Sequence, residues 1–145
     1  MILNKIVIDT CVIVSALKSK NGASYKILSN INNSVFKYGL SVALYLEYET
    51  KLLEFSKSKL ISLKEKEIDT ILSALVFYSN NVPIYYKIRP NLKDENDNMV
   101  YECAVNFGAN FIVTHNVKDF KGGDLKPYSV EIITPQEFLA KVRLI

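Results

Sequence analysis

Residues 92–120 read LKDENDNMVYECAVNFGANFIVTHNVKDF, and they combine a helix pattern with a strand pattern. The helix is predicted from Asn98 to Phe107, and Gly108 follows at the position that glycine favours after a helix. Residues 110–114 have a continuous apolar centre, which is typical of a strand buried on both faces. A helix that leads into such a strand is the repeating unit of a parallel sheet.

The same alternation of strands and helices runs through the rest of the chain. Residues 134–137 read TPQE, which fits a capping box with proline at the first helical position. Gly39 interrupts the second strand and suggests a bulge there. The whole pattern predicts an α/β fold with a mostly parallel sheet that is covered on both faces. The predicted strands are 5–9, 35–42, 83–88, 110–114 and 131–133, and the other predicted helices are 10–17, 23–31, 43–55 and 64–78.

Length and composition indicate one globular domain, which we place at residues 3–145. The chain has 145 residues, of which 49% are apolar and 23% charged. The net charge of +3 permits an anionic partner without requiring one. Cys11 and Cys103 lack metal-type spacing and are expected to be buried free thiols. No signal peptide or apolar stretch of membrane-spanning length is evident, so we expect a cytoplasmic protein without membrane contact.

Acidic and amide side chains follow two of the predicted buried strands. Asp9 ends the first strand, and Asn116 and Asp119 follow the strand that was quoted above. The carboxyl ends of parallel strands share one edge of a sheet, where functional groups gather. Asp94 and Asp97 precede the helix that runs back across the sheet, so they are expected at the same edge. Asp94 is expected to be a loop acid rather than a direct ligand.

Glu47 is a weaker candidate on the helix after the second strand. Glu49 lies about 200° away around that helix, so both cannot face one site, and periodicity does not choose between them. Clustered carboxylates repel one another unless a cation intervenes. Hard oxygen ligands suit Mg²⁺ or Mn²⁺, which can activate water and stabilise charge on a phosphoryl group.

Four segments of the chain, in this order and spacing, resemble the four acidic positions of PIN-domain nucleases. The closest resemblance is to VapC-like toxins of bacterial toxin–antitoxin pairs. It implies an α/β/α sandwich around a short parallel sheet, and a Mg²⁺- or Mn²⁺-dependent ribonuclease. It also implies a cognate antitoxin protein and a homodimer. The segments are IVIDTCVIVSAL, ALYLEYE, RPNLKDENDNMVYECA and FIVTHNVKDF, and the resemblance runs from residue 5 to about residue 138.

Carried over by position, the resemblance implies that Asp9, Glu47 and Asp97 are the core acids, and it favours Glu47 over Glu49. The fourth position departs from the simplest pattern, because Asn116 stands where many relatives carry aspartate. Asn116 and Asp119 are both predicted metal ligands, and Asp119 is a predicted catalytic acid; which of the two completes the site stays open. Cys11 replaces a polar residue of many relatives, while Thr10 remains to orient Asp9 through hydrogen bonding.

Two other functions remain alternatives. A catalytically weak or inactive PIN-like module that binds RNA or protein is favoured by Asn116, since an amide oxygen is a weaker ligand than a carboxylate. A nucleotide-binding protein is disfavoured, because no glycine-rich phosphate loop is present. His115 is expected to face solvent, and Thr114 and Ser41 to hold substrate or water. Basic residues that could contact phosphate are Lys18, Lys20, Arg89, Lys93, Lys118, Lys121 and Lys126.

Overall fold

The computed structural model describes residues 3–87, 92–120 and 129–144. Their strands form one five-stranded sheet, in which every pairing is parallel and the order is β3-β2-β1-β4-β5. The predicted α/β fold is therefore confirmed. The elements are β1 (Asn4–Ile8), α1 (Thr10–Lys18), α2 (Ala23–Leu28), β2 (Phe36–Leu40), α3 (Val42–Lys57), α4 (Glu65–Tyr78), β3 (Asn80–Asn81), α5 (Glu95–Phe107), β4 (Phe111–Val113), a 3₁₀ helix (Val117–Phe120), β5 (Glu131–Ile133) and α6 (Pro135–Lys141).

Strand β2 shows how helices cover both faces of the sheet. The hydroxyl of buried Tyr38 donates a hydrogen bond to the carbonyl of Leu75 in α4. The next residue, Gly39, is approached by the ring of Phe107 in α5. Neighbouring residues of a strand point to opposite faces, so α4 and α5 lie on opposite sides of the sheet. None of the described helices has the length and apolar character needed to cross a membrane.

The third strand is not where the sequence predicted it. Instead of residues 83–88, β3 comprises Asn80–Asn81, and the last hydrogen bond to β2 runs from the amide of Val82 to the carbonyl of Leu40. Pro83 has no amide hydrogen to continue the pairing. The amides of Tyr85 and Tyr86 donate to the side-chain oxygen of Asn106 in α5. Residue 88 lies outside the described residues.

Close packing around Gly39 leaves no room for a side chain, and the strand has no bulge at this position. It pairs in register with Asn80 of β3, within the regular parallel ladder. A Cβ atom at Gly39 would lie 2.6 Å from Cδ2 of Phe107 and 2.8 Å from Cγ2 of Val82. Phe107 ends α5 and packs against the core, and Val82 follows β3 and is buried, so a side chain at this position would have to displace one of them.

We expect Gly39→Ala to destabilise the protein by about 1–3 kcal/mol, because it overpacks the contact between β2 and α5. The matched control is Gly22→Ala, since a Cβ atom at Gly22 would meet nothing within 4 Å. Urea unfolding followed by circular dichroism measures both free energies of unfolding. Equal losses in the two variants would contradict the packing explanation.

Candidate active site

A cavity of about 440 Å³ opens at the carboxyl edge of the sheet, and all five predicted site residues line it. It lies beyond the ends of β1 and β4, between α1, α3 and the first turn of α5. Asp94 and the partly buried Cys11 also border it. The predicted residues in its wall are Asp9, Glu47, Asp97, Asn116 and Asp119.

Asp9 is the most constrained of these acids. It caps α1, and its Oδ1 accepts a hydrogen bond of 2.8 Å from the amide of Thr10. Its Oδ2 accepts bonds from Oγ1 of Thr114 at 2.7 Å and from Sγ of Cys11 at 3.4 Å. Burial raises the pKa of Asp9, although these hydrogen bonds oppose the rise. Burial, helped by the charge of Asp9, raises the pKa of Cys11 to about 11, so its thiol remains a donor.

Thr10 orients Asp9 through its backbone and not through its hydroxyl. The Oγ1 atom of Thr10 is buried at the cavity wall and has no hydrogen-bond partner among the described residues. The side-chain hydroxyl that holds Asp9 belongs to Thr114, which is fully buried at the end of β4. Thr114 was expected to hold substrate or water, and in the structure its contact is with Asp9 itself.

Asp97 lies in the first turn of α5, because the helix begins three residues earlier than predicted. Its cap is Asp94, whose Oδ1 accepts a bond of 2.9 Å from the amide of Asn96. The carboxyl of Asp97 is therefore not needed for capping, and it is 9% exposed in the cavity wall. Burial, followed by the charges of Asp9 and Asp94, raises its pKa to about 7.

Glu47 lies on the cavity side of α3, whereas Glu49 is absent from the cavity wall. The pKa of Glu47 is raised by burial and by the charges of Asp94 and Asp9, while Lys51 lowers it. One residue further along α3, the hydroxyl of buried Tyr48 donates to the carbonyl of Ile8. This bond ties α3 to the residue that precedes Asp9.

Asn116 and Asp119 occupy the exposed turn after β4. The amide of Asn116 donates to Oγ1 of Thr114 at 3.0 Å, and the amide of Asp119 donates to the carbonyl of Asn116 at 3.0 Å. The charge of Asp119 contributes to the raised pKa values of Asp9 and Asp97. The turn thus brings both candidate ligands to the cavity, and both face it.

Of the other residues that were considered from the sequence, some line the cavity and some lie away from it. His115 is exposed, and its Nε2 lies 2.9 Å from Oγ of Ser24 in α2. Ser41 caps α3 by accepting from the amide of Leu44 at 3.2 Å, so its position is structural. Of the candidate phosphate contacts, Lys18 lines the cavity, whereas Lys20, Lys93 and Lys118 are exposed elsewhere. Arg89, Lys121 and Lys126 lie outside the described residues.

Two further residues of the cavity wall lie on α3, Lys51 and Phe55, and the sequence did not lead us to name either as a site residue. They lie four and eight residues after Glu47, which is the spacing of one helix face. That spacing would have found them once Glu47 was known to face the site.

The acids surround the cavity without forming a preassembled metal cage. Among the described residues, no three carboxylate, histidine or cysteine side chains are close enough together to hold an ion as they stand. The oxygen chemistry nevertheless suits a hard cation. Three carboxyls have raised pKa values, and the hydroxyl of Thr10 has no hydrogen-bond partner among the described residues. The described residues therefore do not fully compensate the acids or satisfy this hydroxyl.

A second cavity, of about 710 Å³, lies between α3 and α4 near the ends of β2 and β3. Its wall carries no charged residue and includes Val42 and Phe77, which are 71% and 77% exposed. It shares no residue with the acidic cavity. We name it the apolar groove.

Two of the solved structures with a similar fold are VapBC complexes. A chain in the crystal structure of VapBC2 from Rickettsia felis, bound to a DNA fragment from their promoter, matches with a TM-score of 0.62 and 15% identity. That match covers 90% of this chain and 98% of the other. VapBC-1 from nontypeable Haemophilus influenzae matches with a TM-score of 0.59 and 16% identity, over 87% of this chain and 96% of the other.

Sequence comparison identifies the family independently of the fold. A search of curated proteins found no match. The family model of the PIN domain matches residues 5–118, which contain every residue placed at the acidic cavity except Asp119. The chain therefore belongs to the PIN domain family.

Proposed function

We propose that the protein is a metal-dependent endoribonuclease that hydrolyses RNA phosphodiester bonds, and that it is the toxin of a type II toxin–antitoxin pair. The observation that carries the proposal is the convergence of Asp9, Glu47 and Asp97 on one cavity, each with a raised pKa. Membership of the PIN domain family and the fold shared with VapBC chains support it. Such an enzyme would act in the cytoplasm.

The residues that would hold Mg²⁺ or Mn²⁺ are the cavity acids and the turn after β4. Asp9, Glu47 and Asp97 offer carboxylate oxygens, and Asn116 and Asp119 offer one further oxygen ligand each. A bound cation would supply an activated water and offset charge on the phosphoryl group. The fit rests on the mutual repulsion of the acids, which a divalent cation would relieve.

The protein's own side chains orient Asp9 and exchange protons with solvent. Thr114 and the amide of Thr10 fix the carboxylate of Asp9 in one orientation, with each oxygen held by its own donor. Asp97, with a pKa of about 7, exchanges its proton near neutral pH when no cation is bound. Cation binding must displace that proton, so affinity for metal rises with pH through this range.

Cleavage of RNA in the presence of Mn²⁺ is the direct test. We expect Asp9→Asn to lower kcat by about 100-fold or more, because it removes a ligand charge. The matched control is Asp69→Asn, which changes an exposed acid of α4 and should leave the rate unchanged. Cleavage that persists in EDTA, or an Asp9→Asn variant with full activity, would refute the proposal.

The second candidate function is a PIN-like module that binds RNA or protein without cutting, and Asn116 is the observation that favours it. Calorimetric titration with Mn²⁺ separates the two functions. Metal binding that is lost in Asp9→Asn supports the nuclease. Retained RNA affinity without metal binding supports the module.

The stability of the metal-free protein should depend on pH through Asp97. In the folded protein this carboxyl keeps its proton up to about pH 7, whereas in the unfolded chain it ionises near pH 4. The unfolded state therefore gains relative stability as pH rises between those values. We expect Asp97→Asn to be more stable than wild type by about 2 kcal/mol at pH 8, and close to wild type at pH 4.

Thermal unfolding in EDTA at both pH values measures this difference, with Asp69→Asn as the control for loss of a surface charge. Addition of Mn²⁺ at pH 8 should raise the midpoint of wild type more than that of Asp97→Asn. A stability difference that is constant with pH would show that the charge of Asp97 is not the cause.

Protein partners are part of the proposal. The similar solved structures are VapBC complexes, which supports a cognate antitoxin that binds and silences this chain. We also propose a homodimer, and we assign its contact to the apolar groove. A wall without charge fits the core of a homodimer interface, where charged residues are depleted.

We expect Phe77→Glu to weaken the dimer by at least about tenfold, because it places a charge on the most exposed aromatic side chain of the apolar groove. Ser62→Glu, at an exposed position outside the groove, is the control. Light scattering across a concentration series measures the dissociation constants. A monomeric wild type, or equal dissociation constants, would remove the groove from this role.

A further inference from the structure

The acidic cavity contains two lysines whose surroundings differ. Lys51 lies 3.8 Å from Oε2 of Glu54 and also acts on Glu47, so its charge is engaged by acids of α3. Lys18, in the last turn of α1, forms no ion pair with any residue that the structure describes. Its Nζ lies 5.0 Å from the centre of the Phe55 ring.

The contact with Phe55 places the ammonium group of Lys18 on α3. An aromatic face attracts a cation without neutralising its charge. The partly buried ring of Phe55 and the exposed Lys18 both line the cavity that holds Asp9 and Asp97. The ammonium group of Lys18 therefore contacts the ring and does not form an ion pair with Asp9 or Asp97. A whole positive charge remains available at the cavity wall.

A polyanion that approaches a cavity of carboxylates is repelled, and a fixed cation beside the acids offsets that repulsion. Lysine binds phosphate as a compact point charge. The carboxylates occupy the place proposed for the phosphate that is cut, so a cation at the wall is suited to the phosphate next to it. Lys18 has the position and the unpaired charge for this role.

We propose that Lys18, positioned by Phe55, binds the RNA backbone phosphate adjacent to the one that is cleaved. The inference rests on the proposed nuclease function and assigns a phosphate subsite to it. The contact reads charge and not base identity, so it acts on every sequence alike. Because the ammonium occupies the face of the ring, Phe55 is a positioning residue and not a platform for a base.

The test compares Lys18→Met with Lys20→Met on a short single-stranded RNA in Mn²⁺. Lys20 is exposed two residues further along and is absent from the cavity wall, so it controls for general loss of charge. We expect Lys18→Met to raise KM about tenfold, with kcat within about twofold, and to reduce the salt dependence of log KM by about 0.7. Lys18→Arg should restore most of the affinity. Equal KM values for Lys18→Met and Lys20→Met would overturn the inference.

Phe55→Leu tests the positioning role. It keeps an apolar side chain but removes the ring, so we expect KM to rise about threefold with equal effects on uridine-rich and adenine-rich RNA. A changed preference between the two RNAs would assign the ring to base stacking and overturn its proposed role.

A wild-type protein that does not cleave RNA would refute the nuclease and leave the subsite testable. The same RNA is then titrated by fluorescence anisotropy. Weaker binding by Lys18→Met than by Lys20→Met supports the subsite, and equal binding overturns it.

Discussion

The arrangement of the site depends on the parallel pairing of β1 with β4. Ile8 pairs with Val113, and the amide of Asp9 donates to the carbonyl of Val113 at 3.0 Å. This register brings the first residue after each strand, Asp9 and Thr114, within a hydrogen bond of 2.7 Å. A slip of one residue would turn these side chains to opposite faces of the sheet. The central strands of the sheet therefore determine the position of the first acid.

The same register has an electrostatic cost. Acids that reach one edge from β1, α3 and α5 share a partly buried cavity, where burial and mutual repulsion raise their pKa values. Among the described residues, the ion pairs formed by lysines are Lys51 with Glu54 and Lys141 with Glu131, and neither includes Asp9 or Asp97. The fold thus keeps at this edge a charge imbalance that destabilises the folded protein. A functional site commonly retains such strain, because the rest of the core maintains the geometry.

Much of this arrangement follows from the sequence, and the exceptions have physical causes. The strands β1, β4 and β5 and the capping box of α6 were predicted closely, since continuous apolar runs and cap residues are strong local signals. The strand β3 was misplaced because its two residues pair only through tertiary contact with β2. The start of α5 was missed because Glu95, Asn96 and Asp97 have no apolar periodicity. Glu47 could not be separated from Glu49 by periodicity, since only the packing of α3 decides which side faces the cavity.

The capping geometry explains how ordinary helix stabilisation and a candidate ligand role coexist at one edge. A strand-ending aspartate before a helix is usually a cap, and Asp9 is one, but capping uses only Oδ1. The second oxygen is held by Thr114 and remains at the cavity wall. In α5 the two tasks are divided between residues, because Asp94 caps the helix and leaves Asp97 free one turn later. Capping and the proposed ligand role therefore do not compete here, since each would use different oxygens or different residues.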